Sequence, residues 1–176
     1  MGFVFLFLLV LGNILVRSRL PPKKDGSVLP NFGIFRSVPF SLMTAGVFFS
    51  ELGLFIPITY LSSDALAQGF STAFSYQILA ILNAGSFFGR WLPGYMADRF
   101  GRFNTLILTV TLCLISTFAL WLSAANSTPL IVVYSVLFGF GSGSNISLTP
   151  VCVGQICKTE NYGRYCATCY TIASFG

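Results

Sequence analysis

The chain has 176 residues, of which 55% are hydrophobic, 16% aromatic and only 9% charged, with a formal charge of +5 and a mean hydropathy of +0.79. A soluble domain carries about 25% charged residues, so this composition cannot coat a globular surface and points to an all-α, polytopic protein whose solvent partner is the lipid bilayer. The basic residues are scattered between apolar segments rather than gathered on a patch with aromatics, which excludes nucleic acid as a partner, and the absence of histidine removes His-based catalysis and His metal sites.

Residues 1–16 are apolar but short of the ~20 residues a membrane span needs. No positive charge precedes them, and Arg17, Ser18 and Arg19 follow, so they read as the truncated end of a span. A signal peptide is the alternative. Residues 17–38 form a linker with Arg17, Arg19, Lys23, Lys24 and Arg36, broken by Pro21-Pro22 and Gly26-Ser27. The remainder, 39–176, reads as one helical bundle. Its first complete span is 39–61, with Ser37 as N-cap and Pro39 in the first turn. After a short loop with Asp64 come spans at 72–95 and 104–124, the latter capped by Asn104, then a tight uncharged turn and a span at 129–150. Polar residues at 151–164 precede a further span, truncated, from about residue 165.

Between the second and third of these complete spans lies a charged turn, residues 96–103, with Gly94 just ahead of it and Asp98, Arg99, Gly101 and Arg102 within it. So short a connection makes its flanking helices an antiparallel hairpin. Numbering the loops alternately places every Lys and Arg of the chain on one side. The positive-inside rule then makes 17–38, 96–103 and 151–164 cytosolic. Asp98, close to the start of the next helix, suits the positive end of its dipole. Gly94 is expected to permit close helix approach and Gly101 a tight turn. Asn126-Ser127-Thr128 is a glycosylation sequon in a loop too short to lift it clear of the bilayer.

Ionisable and amide groups inside spans are costly, and by default they are functional candidates. Glu51 lies mid-span. Stepping 100° per residue puts Gly46, Ser50 and Gly53 roughly opposite it, as a small-residue face for helix packing. Tyr76, Asn83 and Arg90 recur every seven residues and form one stripe, whereas Gly85 and Gly89 fall on the far side of that helix. Gly139 and Gly143 form a second G-x-x-x-G pair, with Asn145 pointing away from both. The structural alternative is that Asn83 and Asn145 only hydrogen-bond neighbouring helices and that Arg90 snorkels to the surface. Gly139-x-Gly141-x-Gly143 lacks the strand before it and the Gly-Lys-Ser/Thr after it that nucleotide binding requires, so it reads as packing. Cys152, Cys157, Cys166 and Cys169 do not meet the spacing of a structural zinc site and read as small residues at helix ends; no metal and no cofactor are expected.

The run Gly94-x-x-x-Asp98-Arg99-x-Gly101-Arg102 resembles the loop motif of the major facilitator superfamily, with Phe103 where a further basic residue is usual. Together with "NAGSFFGRWLPGYMADRFGRFNT", "GFGSGSNISLTPVCVGQIC" and "YGRYCATCYTIASFG", it resembles the monocarboxylate-porter-like branch found in fungi, from Phe3 to Gly176. The resemblance implies part of the C-terminal six-helix bundle of that fold, a missing N-terminal transporter half as partner, and a latch role for Gly94, Asp98, Arg99, Gly101 and Arg102. It further implies secondary transport of a small-molecule substrate by alternating access, in the plasma membrane. In that reading Arg90 attracts a monocarboxylate-like anion and Glu51 carries a symported proton, with Asn83, Asn145 and Tyr76 along the same pathway. Porters of this kind often place an Asp four residues before that Arg. Ser86 stands there instead, and relatives in the branch move vitamins. A non-transporting remnant or membrane assembly partner is the alternative function. An enzyme is not expected, because no acid–base pair or nucleophile–base pair is recognisable.

Overall fold

The computed structural model describes residues 2–15, 32–123 and 127–175. Most of the linker and Asn126 of the sequon lie outside them. Six helices follow one another: α1 (Gly2–Leu15), α2 (Val38–Ala67), α3 (Thr72–Phe100), α4 (Arg102–Ser116), α5 (Thr128–Ile156) and α6 (Tyr162–Ala173), with short 3₁₀ turns at Phe32–Arg36 and Thr159–Asn161.

Each boundary has a local cause. Pro sits in the first turn of both α2 and α5, where its missing N–H removes nothing the helix needs. Ser71 caps α3 by accepting the Phe74 N–H at 3.3 Å, the standard use of a hydroxyl at that position. The helices run past the apolar segments that the sequence delimits. α2 continues six residues beyond Leu61, to Ala67, because the amphipathic turn that follows is still packed through Ala65. α4 extends through a wide turn at Thr117–Trp121, closed by the Leu122 N–H on the Thr117 carbonyl at 3.3 Å.

The charged turn is much shorter than expected. Met96 to Phe100 remain helical, and α4 begins at Arg102 rather than Asn104, so the reversal rests on Gly101 alone. Its φ of +91° and ψ of 142° are open to glycine and costly for other residues. Asn104 is therefore not the cap. It is already inside the helix, and its side-chain amide donates back to the Phe100 carbonyl at 3.1 Å.

α5 is the centre of the bundle. Many of its buried residues are small or polar, among them Gly139, Gly141, Gly143, Ser135, Ser142 and Ser144. Hydroxyls at these places stay satisfied by donating to their own helix, as Ser135 does to Ile131 at 2.7 Å and Ser142 to Gly139 at 3.0 Å. α3 lies along α5, held by reciprocal glycines. A Cβ at Gly85 would come within 2.6 Å of the Val136 carbonyl oxygen, one at Gly89 would overlap the Phe140 carbonyl, and those at Gly139 and Gly143 would overlap the Leu82 and Ser86 carbonyls. Ser144 ties the seam by donating to the Gly89 carbonyl at 2.9 Å. Gly141 faces the other way and receives Cys113 and Thr109 of α4. The three glycines of Gly139-x-Gly141-x-Gly143 thus seat two different helices.

α2 does not pack through the small-residue face that its helical wheel suggests. It buries Phe40, Val47, Leu54 and Leu61, seven residues apart, while among the described residues no atom lies within 4 Å of a Cβ at Gly46 or Gly53. The apolar stripe outcompetes the small one because it reaches two clusters. Leu54 and Leu61 join Ile78, Tyr134 and Phe138 towards the end of α2 that leads into α3, and Phe40 and Val47 join Val153 and Cys169 at the other end. At the former end Trp121 donates its indole N–H to an Asp64 carboxylate oxygen at 2.8 Å, and its ring stacks on Tyr134 with centroids 5.7 Å apart. Gln68 donates to the same Asp64 oxygen at 2.9 Å.

Among the described residues, three helices are long and apolar enough to cross a membrane: Val38–Ala67, Arg102–Trp121 and Thr128–Ile156. α3 is as long as α5, at 29 residues, but Gln77, Asn83, Arg90, Asp98 and Arg99 dilute its hydropathy. Its glycine seam with α5 carries it alongside a helix that does qualify.

Candidate transport site

Glu51 stands 13 residues into α2, about 20 Å along its axis at ~1.5 Å per residue. It is half-buried and lines a cavity of about 200 Å³ together with Phe55 of α2, Ile146 of α5, and Tyr170, Ala173 and Ser174 at the end of α6. Three helices therefore converge on the one acid inside α2's first five turns. Tyr170 and Ser174 are the site residues that sequence reasoning missed. They lie in a segment read as a cut-off span, and only the return of α6 onto α2 brings them to Glu51. The available signal was a tyrosine and a serine four apart, hence on one helical face.

Arg90 is ten residues before the end of α3, about 15 Å along the helix. This is three turns from its end, not the single turn implied by a span ending at Tyr95. Arg90, Asn83 and Tyr76 are all exposed, on the face of α3 turned away from the Gly85–Gly89 seam. Asn83 donates to its own helix, at the Leu79 carbonyl, 2.9 Å. The structure keeps this stripe on α3 and Glu51 on α2, on separate helices. Gly94 packs against no neighbour among the described residues: none of their atoms lies within 4 Å of its would-be Cβ. Asp98, Arg99 and Arg102 are exposed around the Gly101 turn, and the Arg99 guanidinium lies 5.1 Å above the Tyr95 ring centroid, a cation–π contact.

Asn145 goes to a different place from Glu51. It is only 2% exposed, and it lines two adjoining cavities between α2 and α4, of about 440 and 280 Å³. Its neighbour Ile146 faces the Glu51 cavity. The small-residue face of α2 borders the Asn145 side, through Gly46, Ser50 and Gly53.

The cysteines of α5 and α6 are all free. Among the described residues no cluster of three or more His, Cys, Asp or Glu could hold a metal ion. Burial and the nearby Cys166 thiol push the Cys157 thiol, at the C-terminal end of α5, above its ordinary range. A thiol so placed stays protonated at neutral pH.

A bundle with three helices, among the described residues, long and apolar enough to cross a membrane is that of an integral membrane protein. The chain belongs to the Major Facilitator Superfamily, whose family model matches residues 1–176. It is 38% identical over 192 residues to the riboflavin transporter MCH5 of Saccharomyces cerevisiae, covering 100% of this chain and 37% of that protein. It is also 38% identical over 176 residues to the MFS-type transporter opdF of Penicillium oxalicum, covering 99% and 41%. With the aspyridones efflux protein apdF of Emericella nidulans it shares 35% identity over 154 residues, 88% and 31% of the two chains. The chain thus spans about two fifths of the length of the first two of these relatives. No solved structure matches.

Proposed function

We propose that this chain supplies one wall of a secondary transporter for a small organic solute, working by alternating access between two helical halves, with the second half formed by further polypeptide of the kind its relatives carry. The observation that carries the reading is Glu51, set mid-helix in a cavity where α2, α5 and α6 meet, in a chain matched along its length by a transporter family. A carboxylate in that position is expensive to keep in a membrane unless it faces a cavity, a partner or the solute. Phe55 and Tyr170 beside it offer ring faces, which suits a planar solute as well as a small carboxylate.

Between a monocarboxylate-like anion and a related metabolite, the relatives' names favour the latter. One is named for riboflavin and another for aspyridones, and Ser86 at the place of the usual Asp weighs in the same direction. Glu51 acts as the proton carrier in a symport cycle, Arg90 and Asn83 face the same pathway from α3, and the Gly101 turn with Asp98, Arg99 and Arg102 latches the halves on the cytosolic side. The plasma membrane is the site of action.

The test is uptake by the full-length protein in yeast that lacks its own riboflavin importer. Labelled riboflavin and a labelled monocarboxylate are compared at external pH 5 and pH 7. Proton-coupled uptake of either, lost in Glu51→Gln and reduced in Arg90→Ala, is the expected outcome. Normal, pH-dependent uptake in both variants would remove these residues from the pathway.

A further inference from the structure

The Glu51 cavity is built from two i, i+4 pairs. Glu51 and Phe55 stand one turn apart on α2, and Tyr170 and Ser174 one turn apart on α6, with Ile146 of α5 and Ala173 completing the lining. At about 200 Å³ it is smaller than the ~300–1,000 Å³ that encloses a drug-sized ligand. This wall therefore takes one end of a solute and leaves the rest outside it. Phe55 is 58% exposed and Tyr170 40%, so neither ring is used up in the packing of the described helices.

The polar groups of the lining are few, and each has a definite capacity. Among the described residues the Glu51 side chain makes no hydrogen bond and no ion pair. Ser174 donates its proton to the Thr171 carbonyl at 2.8 Å, so towards a solute its oxygen only accepts. No described Lys or Arg lines the cavity, and α3, which carries Arg90, contributes no residue to it. A solute carboxylate placed here would meet a carboxyl with no cation to neutralise either charge, and the cost rises as water is excluded. The same holds for Glu51 itself. Once a solute displaces the water, an ionised Glu51 is an unpaired charge in an apolar space, and the neutral acid is not. A neutral carboxyl offers one O–H donor beside one carbonyl acceptor. The edge that matches both is an N–H beside a C=O in one plane, as in a lactam or a cyclic imide, and it pairs through two parallel hydrogen bonds.

We propose that this cavity binds the cis-amide edge of an uncharged planar heterocycle, with protonated Glu51 making both hydrogen bonds and the Phe55 and Tyr170 rings lying against the solute. Loss of the Glu51 proton to water removes the donor and sets a carboxylate oxygen against the solute carbonyl, so proton and solute bind and leave together. Tyr170 is the other titratable group of the lining. A tyrosine titrates at about 10 in water, so it keeps its proton throughout, and Ile146 and Ala173 carry no charge. The inference rests on the reading of Glu51 as part of the solute pathway. It adds the chemistry of the solute and excludes a carboxylate from this wall.

The experiment uses the purified full-length protein in detergent. Ligand-detected NMR titrations compare phthalimide, N-methylphthalimide and 2-chlorobenzoate, a ring carboxylate, at pH 5 and pH 7. The expected result is saturable phthalimide binding at pH 5, weaker by about tenfold at pH 7 and weaker by about tenfold for the N-methyl compound, with no saturable binding of 2-chlorobenzoate. Glu51→Gln, whose carboxamide offers a donor beside an acceptor at every pH, binds phthalimide at both pH values, and Glu51→Ala at neither. Equal binding of phthalimide and its N-methyl derivative, or no saturable phthalimide binding, would overturn the proposal. Binding of 2-chlorobenzoate that is lost in Glu51→Ala would overturn it while leaving Glu51 in the solute pathway. Phthalimide binding unaltered in Glu51→Ala would overturn it and remove Glu51 from the pathway as well.

Discussion

Replacing Gly89 by alanine tests the glycine seam that holds α3 to α5. The added Cβ would overlap the Phe140 carbonyl oxygen, with the carbonyl carbon at 2.7 Å and Cα at 2.8 Å. All three are backbone atoms, so no side chain can rotate away and the helices must separate. Forced overpacking costs about 1–3 kcal/mol, and backbone against backbone belongs at the upper end. Separation also breaks the bond from Ser144 Oγ to the Gly89 carbonyl, 2.9 Å, worth about 0.6 kcal/mol between membrane helices. Against this, alanine gains about 1 kcal/mol of helix propensity. Gly94→Ala in the same helix makes the same gain with nothing of the described residues within 4 Å, so the difference between the two variants isolates the seam. That difference is roughly 2–4 kcal/mol. The assay is equilibrium or thermal unfolding of the purified full-length protein in one detergent, with both variants measured side by side. Gly89→Ala and Gly94→Ala agreeing within about 0.5 kcal/mol would refute the backbone contact.

Two further substitutions probe the ends of the hairpin. Gly101→Ala forces a Cβ into a backbone at φ +91° and costs about 1–3 kcal/mol; unaltered unfolding would mean that the turn is built another way. Trp121→Phe keeps the ring stack on Tyr134 but removes the donor to Asp64 at 2.8 Å, a loss of about 1 kcal/mol because Gln68 still serves the carboxylate. Asp64→Asn combined with Trp121→Phe then costs less than the sum of the two singles, and strict additivity in this cycle would deny the pairing.

How much of this was legible beforehand varies from residue to residue. Helix existence followed from composition, because burying backbone in lipid allows few structures. The G-x-x-x-G pairs at Gly85, Gly89, Gly139 and Gly143 could be read as packing faces, and they meet along a single seam. The boundaries were less legible. Met96 to Phe100 are polar enough to look like a loop, yet a helix end tolerates charge once it clears the apolar layer, so the turn shrank to Gly101. Gly94 and Asn104 were assigned roles by spacing that tertiary contacts did not supply.

The partition between what sequence and tertiary structure decide is sharpest on α2. Sequence alone determined that α2 crosses the membrane, that Glu51 lies in its middle, and that Gly46, Ser50 and Gly53 share the opposite face, since a 3.6-residue period fixes direction about one axis. It could not determine what either face meets. The heptad-spaced Phe40, Val47, Leu54 and Leu61 took the packing role through contacts with residues far along the chain. The return of α6 gave Glu51 its cavity, and one step along α5, from Asn145 to Ile146, separated the two cavities between α2 and α4 from that one. Those outcomes depend on which helices lie side by side, a property of the whole bundle that no local period encodes.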